Sequence, residues 1–442
     1  LAAAPPGARP VLEDAARVAT AEATLGYRPA PGTALDARLA LRQRNHTGAF
    51  VAAGREDGTS VALRTSARAA PFARALEVQA LYEALTERTP VLQEAYVFVG
   101  PEFGAFVWRD GAGEARPGEP DGIPQVDEFF PETTPAEGTY ARVFVPSDEF
   151  VPATGVQGQL RLRWQPALRF PDAPPLVRAL AARTTLDVRE RSADPAVARV
   201  LLFDPRVLQQ RRPRAAAGDT LAPATLSGRF RLEQEVTLSP DRARLGARLA
   251  LSHLTTTSRL AAGLDARLVQ ALTLEAFAPA AGALTLRLET ALERRRADAE
   301  GFASRTYDLR AWRAEPQLVW TPAPAWGLTA GVAVSDRADA RMPGAGARVL
   351  RVPLEVRLTR AALAAVTLRA ERADVRLRGT PTPGLALFEL TEGRGPGTSY
   401  LWGASAQTAL GARLRGTLRY DGRAAQGAPV VQTLRVELSA LF

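Results

Sequence analysis

The sequence lacks several residue types and segments, and each absence narrows the possible functions. Its 442 residues include no cysteine, which excludes disulfide bonds and thiolate metal sites. No run of about 18 apolar residues occurs, so we expect no transmembrane helix. Residues 1–16 lack the basic and apolar regions of a signal peptide. We therefore expect that a signal has been removed or that the chain is part of a longer protein.

Lysine is also missing, so all 56 basic residues are arginine. The formal net charge is +9 and the pI is about 10.6. Nucleic-acid-binding proteins gather their basic residues on one face. Here arginine alternates with glutamate and aspartate along most of the chain. We therefore expect no nucleic-acid partner.

Apolar residues recur at every second position through most of the chain, which is typical of β-strands. In residues 226–238, Phe230, Leu232 and Val236 share one face, and the charged residues between them share the other. The same alternation recurs often enough to assign about 17 strands. The charged faces carry Arg229, Arg231, Glu233, Glu235, Arg287, Glu289, Arg351, Glu355, Arg357, Arg413, Arg415, Arg435 and Glu437.

Alternation alone does not distinguish a soluble antiparallel sheet from a membrane barrel. The charged faces, however, carry both signs of charge on successive strands, as expected where Arg meets Glu across strands in a wet barrel interior. The opposite faces consist of Leu, Val and Ala, which suits contact with lipid. These features favour an all-β fold: a large antiparallel transmembrane β-barrel of about 16–18 strands, with the charged faces lining the lumen.

An aromatic residue stands two positions before a proline at four predicted strand ends. Proline cannot donate to the sheet, so it ends a strand at a rim. Aromatic residues in barrels gather at the membrane interfaces. The sequence therefore predicts an interfacial girdle. Its members are Tyr27, Trp164, Phe277 and Trp320, together with the C-terminal Phe442.

The chain ends in an alternating segment, residues 430–442, which reads VVQTLRVELSALF. This ending resembles the closing strand of Gram-negative outer-membrane β-barrels, and the resemblance extends by pattern to all but residues 1–16 and 91–155. It implies an outer-membrane location, with membrane lipid and lipopolysaccharide as partners. The turn style and the final VELSALF are similar to those of outer-membrane proteins from GC-rich, Bacteroidota-like lineages.

The chain divides into three predicted parts. Residues 1–90 are predicted to form the first barrel hairpins, with either an upstream portion missing or one more strand within residues 1–16. Residues 156–442 are predicted to form the main barrel with its closing strand. Between them, residues 91–155 differ in character: positions 91–154 hold twelve Asp and Glu against three Arg, with dense aromatic residues. Aromatic residues at that density argue against disorder. The sequence predicts a small β-rich acidic insert that is either extracellular or a plug.

Residues able to support chemistry are few. Two histidines occur, and one of them, His253, follows Ser252. Adjacent residues on a strand point to opposite faces, so this pair cannot form a nucleophile and its base. The acidic insert offers oxygen ligands for calcium but has no calcium-loop motif. The sequence therefore predicts no enzyme, no catalytic residue, no cofactor and no metal site.

Two arginine clusters fall in predicted outer loops. Arg211, Arg212 and Arg214 lie within residues 191–225, and Arg294, Arg295 and Arg296 open the loop that follows a strand. Guanidinium groups there could contact lipopolysaccharide phosphates. Charges on a solvated loop are the more common explanation.

Three functions remain open from the sequence. The first is a non-enzymatic outer-membrane channel or translocation scaffold, with a weak preference for anions because arginine is in excess. The second is a structural or adhesive surface protein that the barrel anchors, with other outer-membrane or surface proteins as partners. The third is a soluble, secreted β-sandwich or filament subunit, in which the apolar faces pack sheet on sheet.

Overall fold

The computed structural model describes the chain in segments. These are residues 15–52, 58–101, 103–112, 120–132, 137–193, 225–238, 245–260, 263–300, 302, 305–360, 364–381, 384–409 and 414–440. Among them, no helix has the length and apolar character that crossing a membrane requires. The arginine cluster of Arg211, Arg212 and Arg214 lies outside the described residues, as do Arg413 and Phe442.

Strands dominate the structure, and the helices are short. The strands are β1 (Ala16–Ala30), β2 (Thr33–His46), β3 (Gly58–Ala69), β4 (Leu76–Phe98), β5 (Phe106–Trp108), β6 (Phe129–Pro131), β7 (Tyr140–Trp164), β8 (Leu180–Ser192), β9 (Thr225–Leu238), β10 (Gly246–Leu260), β11 (Gly263–Pro279), β12 (Leu284–Ala299), β13 (Tyr307–Ala323), β14 (Trp326–Gly331), β15 (Ala333–Asp339), β16 (Gly346–Arg360), β17 (Ala364–Arg378), β18 (Gly397–Ala409), β19 (Leu414–Ala425) and β20 (Val431–Ala440). The helices are α1 (Gly48–Ala52), α2 (Pro175–Arg178) and α3 (Leu385–Leu390), with 3₁₀ turns at Val126–Glu128 and Pro166–Leu168.

All of these strands belong to one antiparallel β-barrel sheet, in which each strand of the wall pairs with the next along the chain. β14 and β15 occupy a single position between β13 and β16, and β5 and β6 belong to the insert. The described wall therefore has 17 positions. The predicted fold class and strand number are confirmed. Within the described residues, β1 and β20 are the two edges of the wall.

The leucine-bearing face of the sheet points outward. Leu286, Leu292 and Leu434 stay 51%, 61% and 62% exposed. A water-soluble protein rarely exposes an apolar surface that extends over many strands, whereas hydrocarbon stabilises one. The alternative of a β-sandwich is wrong for the described chain, because its leucines do not meet those of a second sheet.

The two rims differ in the length of their connections. Short turns such as residues 31–32 and 324–325 join strands at one rim. At the other rim the connections include the acidic insert and residues 379–396. This asymmetry is typical of outer-membrane barrels. The exception at the second rim is residues 261–262, between β10 and β11, where the sequence pattern predicted a turn at 254–258. Thr255, Thr256 and Thr257 instead continue β10.

Several strands extend beyond the end of their alternating pattern. Arg294, Arg295 and Arg296 lie inside β12, so their predicted position in an outer loop is wrong. The pattern ends early because both faces of the strand are polar at this height. Arg294 donates to Asp308 on β13, 2.7 Å away, and Arg296 donates to Asp298, 3.3 Å away. Strand pairing continues above the apolar band.

The acidic insert continues directly from two strands of the wall, β4 and β7. β4 and β7 pair along almost their whole length, with a register shift between Pro90 and Leu92. Such a shift bends a strand pair. Beyond it, the aromatic residues of the insert form their own small core, in which Tyr96 stacks on Phe129 with ring centroids 4.1 Å apart. Residues 91–155 are thus an extension of one hairpin that carries β5 and β6.

Candidate functional site in the barrel interior

The interior is lined by the charged residues of the alternating strands. The register places each predicted lumen residue that is described on the face that points inward, and Arg351 contacts residues of an inner segment directly. Cross-strand contacts join opposite charges there: Arg287 lies 3.1 Å from Glu275, and Arg313 pairs with Glu289. The role of these residues in a lumen stays a prediction.

The predicted girdle residues do not all share one face. Tyr27, Trp164 and Trp320 are exposed at the short-turn rim, on the side of the outward leucines. Phe277 does not fit the girdle, because its register partner is Arg287 on the charged face. A one-residue difference in position reverses the direction of a strand side chain. Proximity to a proline was therefore insufficient to place Phe277.

Residues 384–396, which we call the inner loop, fold into the barrel between β17 and β18. Its helix α3 buries Leu390 completely and Ala386 almost completely. Both side chains pack in one cluster with residues of the wall: Ala297, Tyr307, Leu309 and Ala347. Burial of these apolar surfaces stabilises the inner loop in its inward position. Sequence analysis missed this feature, although the apolar segment LALFEL within a polar, glycine-rich connection was a usable signal.

A layer of ion pairs follows the apolar contact, and Glu392 lies at its centre. Arg337 donates to the Glu392 carboxylate at 3.0 Å and Arg394 does so at 3.1 Å, while Arg351 lies 3.6 Å away. Ser335 on β15 adds a hydrogen bond of 3.1 Å. Glu392 also has a φ of 55°, which non-glycine residues rarely adopt. The surrounding contacts hold this strained residue in place.

Further pairs extend the layer across the wall. Arg295 donates to Glu389 of α3 at 2.9 Å, and Arg337 donates to the Glu389 carbonyl at 2.8 Å. Arg394 reaches Glu371 on β17 at 2.5 Å. The inner loop is thereby joined to strands β12, β15, β16 and β17.

The environment of Glu392 changes its acidity. Burial alone would raise the pKa of the Glu392 carboxyl, but the guanidinium groups of Arg337, Arg351 and Arg394 outweigh it. The net effect is a pKa below the ordinary value for glutamate. Glu392 therefore remains ionised, and paired with its arginines, to a lower pH than an isolated carboxyl would.

The acidic insert contacts the inner loop and the distant wall. Phe130 of the insert lies 5.9 Å from Phe388 of α3 by ring centroids, and the Arg109 guanidinium lies near both rings. Glu137 accepts a hydrogen bond from Arg423 on β19. The insert thus reaches from β4 and β7 across to the far wall. Whether it acts as a plug or as an outer surface stays a prediction.

Glu94 forms a second bridge from the insert. Arg305 donates to both of its carboxylate oxygens at 3.3 Å, Arg142 lies 3.6 Å away, and the Tyr96 hydroxyl donates at 2.7 Å. Burial, reinforced by the Glu94 charge, raises the pKa of Tyr96 above its usual value. The acidic residues of the insert also stabilise its turns. Glu128, for example, accepts hydrogen bonds from the Trp108 indole at 2.8 Å and from a backbone amide.

The wall from β2 to β11 borders an open cavity of about 960 Å³. Arginines dominate its charged lining, and two residues of the insert, Arg142 and Phe144, contribute to it. No segment comparable to the inner loop fills this side in the described structure. The cavity lining includes Arg38, Arg64, Glu83, Arg142, Arg189, Arg191, Arg229, Asp265 and Arg267.

Ser252 and His253 point to opposite faces of β10, as expected for neighbouring residues of a strand. His253 bonds to Thr255 and Gln270 on the outward face and lies edge-on to Phe230. Ser252 pairs in register with Glu233 on the inward face. The two side chains therefore point away from each other. No role in acid–base chemistry follows from this geometry.

Comparisons with known proteins return structural likeness alone. No protein-family model matches the sequence, and no curated protein matches it either. Among solved structures, the ferric enterobactin receptor PfeA of Pseudomonas aeruginosa aligns over 97% of this chain and 70% of its own, with 9% identity and a TM-score of 0.38. The P. putida toluene transporter TodX aligns over 97% and 89%, with 9% identity and a TM-score of 0.24.

The P pilus usher PapC, described as a translocation pore, aligns over 96% of this chain and 95% of its own, with 10% identity and a TM-score of 0.23. Scores at this level carry no argument about activity. The suggested Bacteroidota-like lineage stays a prediction.

Proposed function

We propose that the protein is a non-enzymatic outer-membrane channel whose aqueous interior is restricted by the inner loop. The outward band of leucines supports insertion in a membrane, and the asymmetric rims are typical of the outer membrane. The inward faces carry charge of both signs, which suits a water-filled passage. An excess of arginine on the interior supports a weak preference for anions.

The observation that carries this proposal is the attachment of the inner loop to the inside of the wall. Leu390 and Glu392 fix the segment on the interior face rather than outside the rim. Loops that lie inside a barrel narrow or close it. Because apolar contacts and ion pairs, which are non-covalent, hold the inner loop, we expect the restriction to be reversible.

A bilayer recording tests the proposal. The purified protein is compared with a variant in which residues 385–394 are replaced by a Gly-Ser linker of equal length. We expect discrete currents from both proteins and a several-fold larger conductance from the variant. The absence of current from both would contradict the channel, and equal conductances would contradict the restriction by the inner loop.

A control experiment establishes the membrane location first. The protein should remain in the membrane fraction at high salt and alkaline pH, and its electrophoretic mobility should change on boiling. Release into the aqueous fraction without detergent would contradict both the barrel-anchored functions.

One observation favours a second candidate, an adhesive or structural surface protein. The insert exposes the aromatic residues Phe98 and Phe103, 63% and 76% accessible, and also Ile123. Exposed apolar residues on a projecting element suit contact with another surface protein. If this is the function, Phe103→Ser should reduce binding of whole cells to a surface while leaving the bilayer current unchanged.

A further inference from the structure

A continuous row of side chains crosses the wall around the 960 Å³ cavity. Each member is the register partner of the next, and consecutive partners in an antiparallel sheet point to the same face. The row consists of Arg38, Arg64, Glu83, Gln157, Arg189, Arg229, Thr256 and Arg267. Five arginines and one carboxylate therefore occupy one line across eight strands.

Two pairs in this row oppose like charges. Arg38 faces Arg64 across β2 and β3, and Arg189 faces Arg229 across β8 and β9. Like charges directly opposite each other destabilise a sheet. An arrangement of this kind is stabilised when an anion lies between the guanidinium groups.

The carboxylates near the row neutralise it only in part. Four of the five arginines have a carboxylate nearby: Glu22 lies 2.8 Å from Arg38, Glu83 lies 3.1 Å from Arg64, Asp187 lies 3.5 Å from Arg189 and Asp265 lies 3.2 Å from Arg267. Arg229 has no acidic partner among the residues that the structure describes. The whole cavity lining holds seven arginines against three carboxylates. A net positive charge thus remains on the cavity wall.

The size and chemistry of the cavity fit a small ligand. Binding sites for small molecules usually enclose about 300–1,000 Å³. Guanidinium groups bind phosphate and carboxylate oxygens through two parallel hydrogen bonds. Arg142 of the insert is also part of the lining, 4.7 Å from the Phe144 ring, and Glu94, 3.6 Å away, offsets part of its charge.

We propose that this row is a binding site for a small oxyanion that carries two or more negative charges on phosphate or carboxylate groups. The site would account for the anion preference of the proposed channel, and in that sense it rests on the proposed function. Its occupancy does not depend on conduction, because an equilibrium measurement detects binding in a closed protein as well.

Isothermal titration calorimetry on the folded, detergent-solubilised full chain tests the site. The probes are pyrophosphate and citrate, with chloride as the background anion. We expect saturable binding of at least one probe that weakens as salt is raised. The double variant Arg189→Gln, Arg229→Gln should bind the probe with an affinity that is lower by about tenfold or more, because charge-assisted contacts are lost.

The matched control is Arg357→Gln, which removes an arginine from the same inward face at a distance from the cavity. Its side chain is 67% exposed, and that of Arg189 is 55% exposed, so both arginines are largely open to solvent. Binding should be unchanged in this control. The proposed site is contradicted if neither probe binds the unmodified protein, or if the control loses as much affinity as the double variant. Binding without any bilayer current would keep the site and contradict the channel.

A preference between the probes identifies the chemistry. Tighter binding of pyrophosphate indicates a phosphate-bearing ligand, and tighter binding of citrate indicates a carboxylate-bearing one. Equal affinity for both supports recognition of charge alone. Each of these three results supports the oxyanion site, provided that the double variant loses affinity.

Discussion

The two walls of the barrel use the same residue types and reach opposite electrostatic results. On the wall from β12 to β19, arginines are paired with glutamates and covered by the inner loop; the Arg337 side chain is 9% exposed. On the wall from β2 to β11, arginines line an open cavity, and the Arg64 side chain is 71% exposed. One wall carries the inner loop on its inner face, and the other leaves its inner face open.

The difference between the walls arises from register and from the connecting segments. Both walls alternate apolar and charged residues. On the first wall, the inner loop brings Glu389 and Glu392 to arginines that the strands supply. On the inward face of the second wall, the register aligns arginine with arginine, whereas the first wall has such pairs on its outward face, as between Arg348 and Arg376. Because a cross-strand pair depends on two distant segments, equal composition does not give equal charge balance.

The largest expected change in channel conductance follows from disrupting the apolar contact that attaches the inner loop to the wall. Leu390→Asp places an unpaired carboxylate among Ala297, Tyr307 and Leu309, at a cost of roughly 3–5 kcal/mol. We expect the inner loop to leave the wall and the single-channel conductance to approach that of the linker variant. Bilayer recording measures this effect.

The control for this substitution is Leu176→Asp. Leu176 is 70% exposed in the connection between β7 and β8, so the same change creates no buried charge. Both variants should keep their heat-modifiable mobility, because the wall remains intact. A Leu390→Asp protein with unaltered conductance would show that the apolar contact does not hold the inner loop.

A smaller effect is expected from the charged layer. Glu392→Gln keeps the shape of the side chain but removes the charge that faces Arg337, Arg351 and Arg394. Three partly buried guanidinium groups then lose their shared partner, at about 2–3 kcal/mol. We expect more frequent openings in bilayer recordings, with the open-state conductance unchanged.

Glu355→Gln is the matched control for the charged layer. Glu355 lies on the same inward face but is 45% exposed and pairs only loosely with Arg357, 3.6 Å away. Solvent screening makes such a pair weak. Equal opening frequencies in the two variants would mean that the contacts of Glu392 do not restrain the inner loop.

Acidic pH should weaken the attachment of the inner loop by protonating the Glu392 carboxyl. The folded-state pKa of Glu392 is below the ordinary value, so its ionised form stabilises the inward position at pH values above about 4.3. This stabilisation is lost as the pH falls through the lowered pKa. Opening frequency should therefore rise below about pH 4.3 and stay flat from there to neutrality.

A variant tests whether the response to acid pH comes from Glu392. In Glu392→Gln the carboxyl is absent, so the rise in opening at acid pH should be strongly reduced. An unchanged pH profile in this variant would assign the acid response to other carboxyls of the interior.

Much of the fold was accessible from the sequence because membrane strands obey a strict period of two. Leu286, Leu288 and Leu292 had to share a face once their segment was a strand, and the structure exposes all three. The period fails where both faces are polar. The sequence pattern therefore predicts a loop for the outer part of β12, although Arg294 and Arg296 pair with neighbours there.

The candidate site was less accessible because it depends on contacts between distant segments. Nothing local to Glu392 indicates that Arg337 and Arg351 surround it. Likewise, the row of arginines in the cavity requires the register of eight strands. Only the apolar hexapeptide of α3 was a local signal, and its meaning depended on the inward direction that the fold alone supplies.

The smallest expected effect concerns the open wall. Arg64→Gln removes one cation that is mostly exposed and near Glu83, so stability should change by less than about 1 kcal/mol. Anion selectivity, measured as the reversal potential in a potassium chloride gradient, should fall modestly. Arg337→Gln, on the covered wall, should instead change opening frequency with little effect on selectivity. If both substitutions shift the reversal potential equally, the two walls do not divide selection and restraint between them.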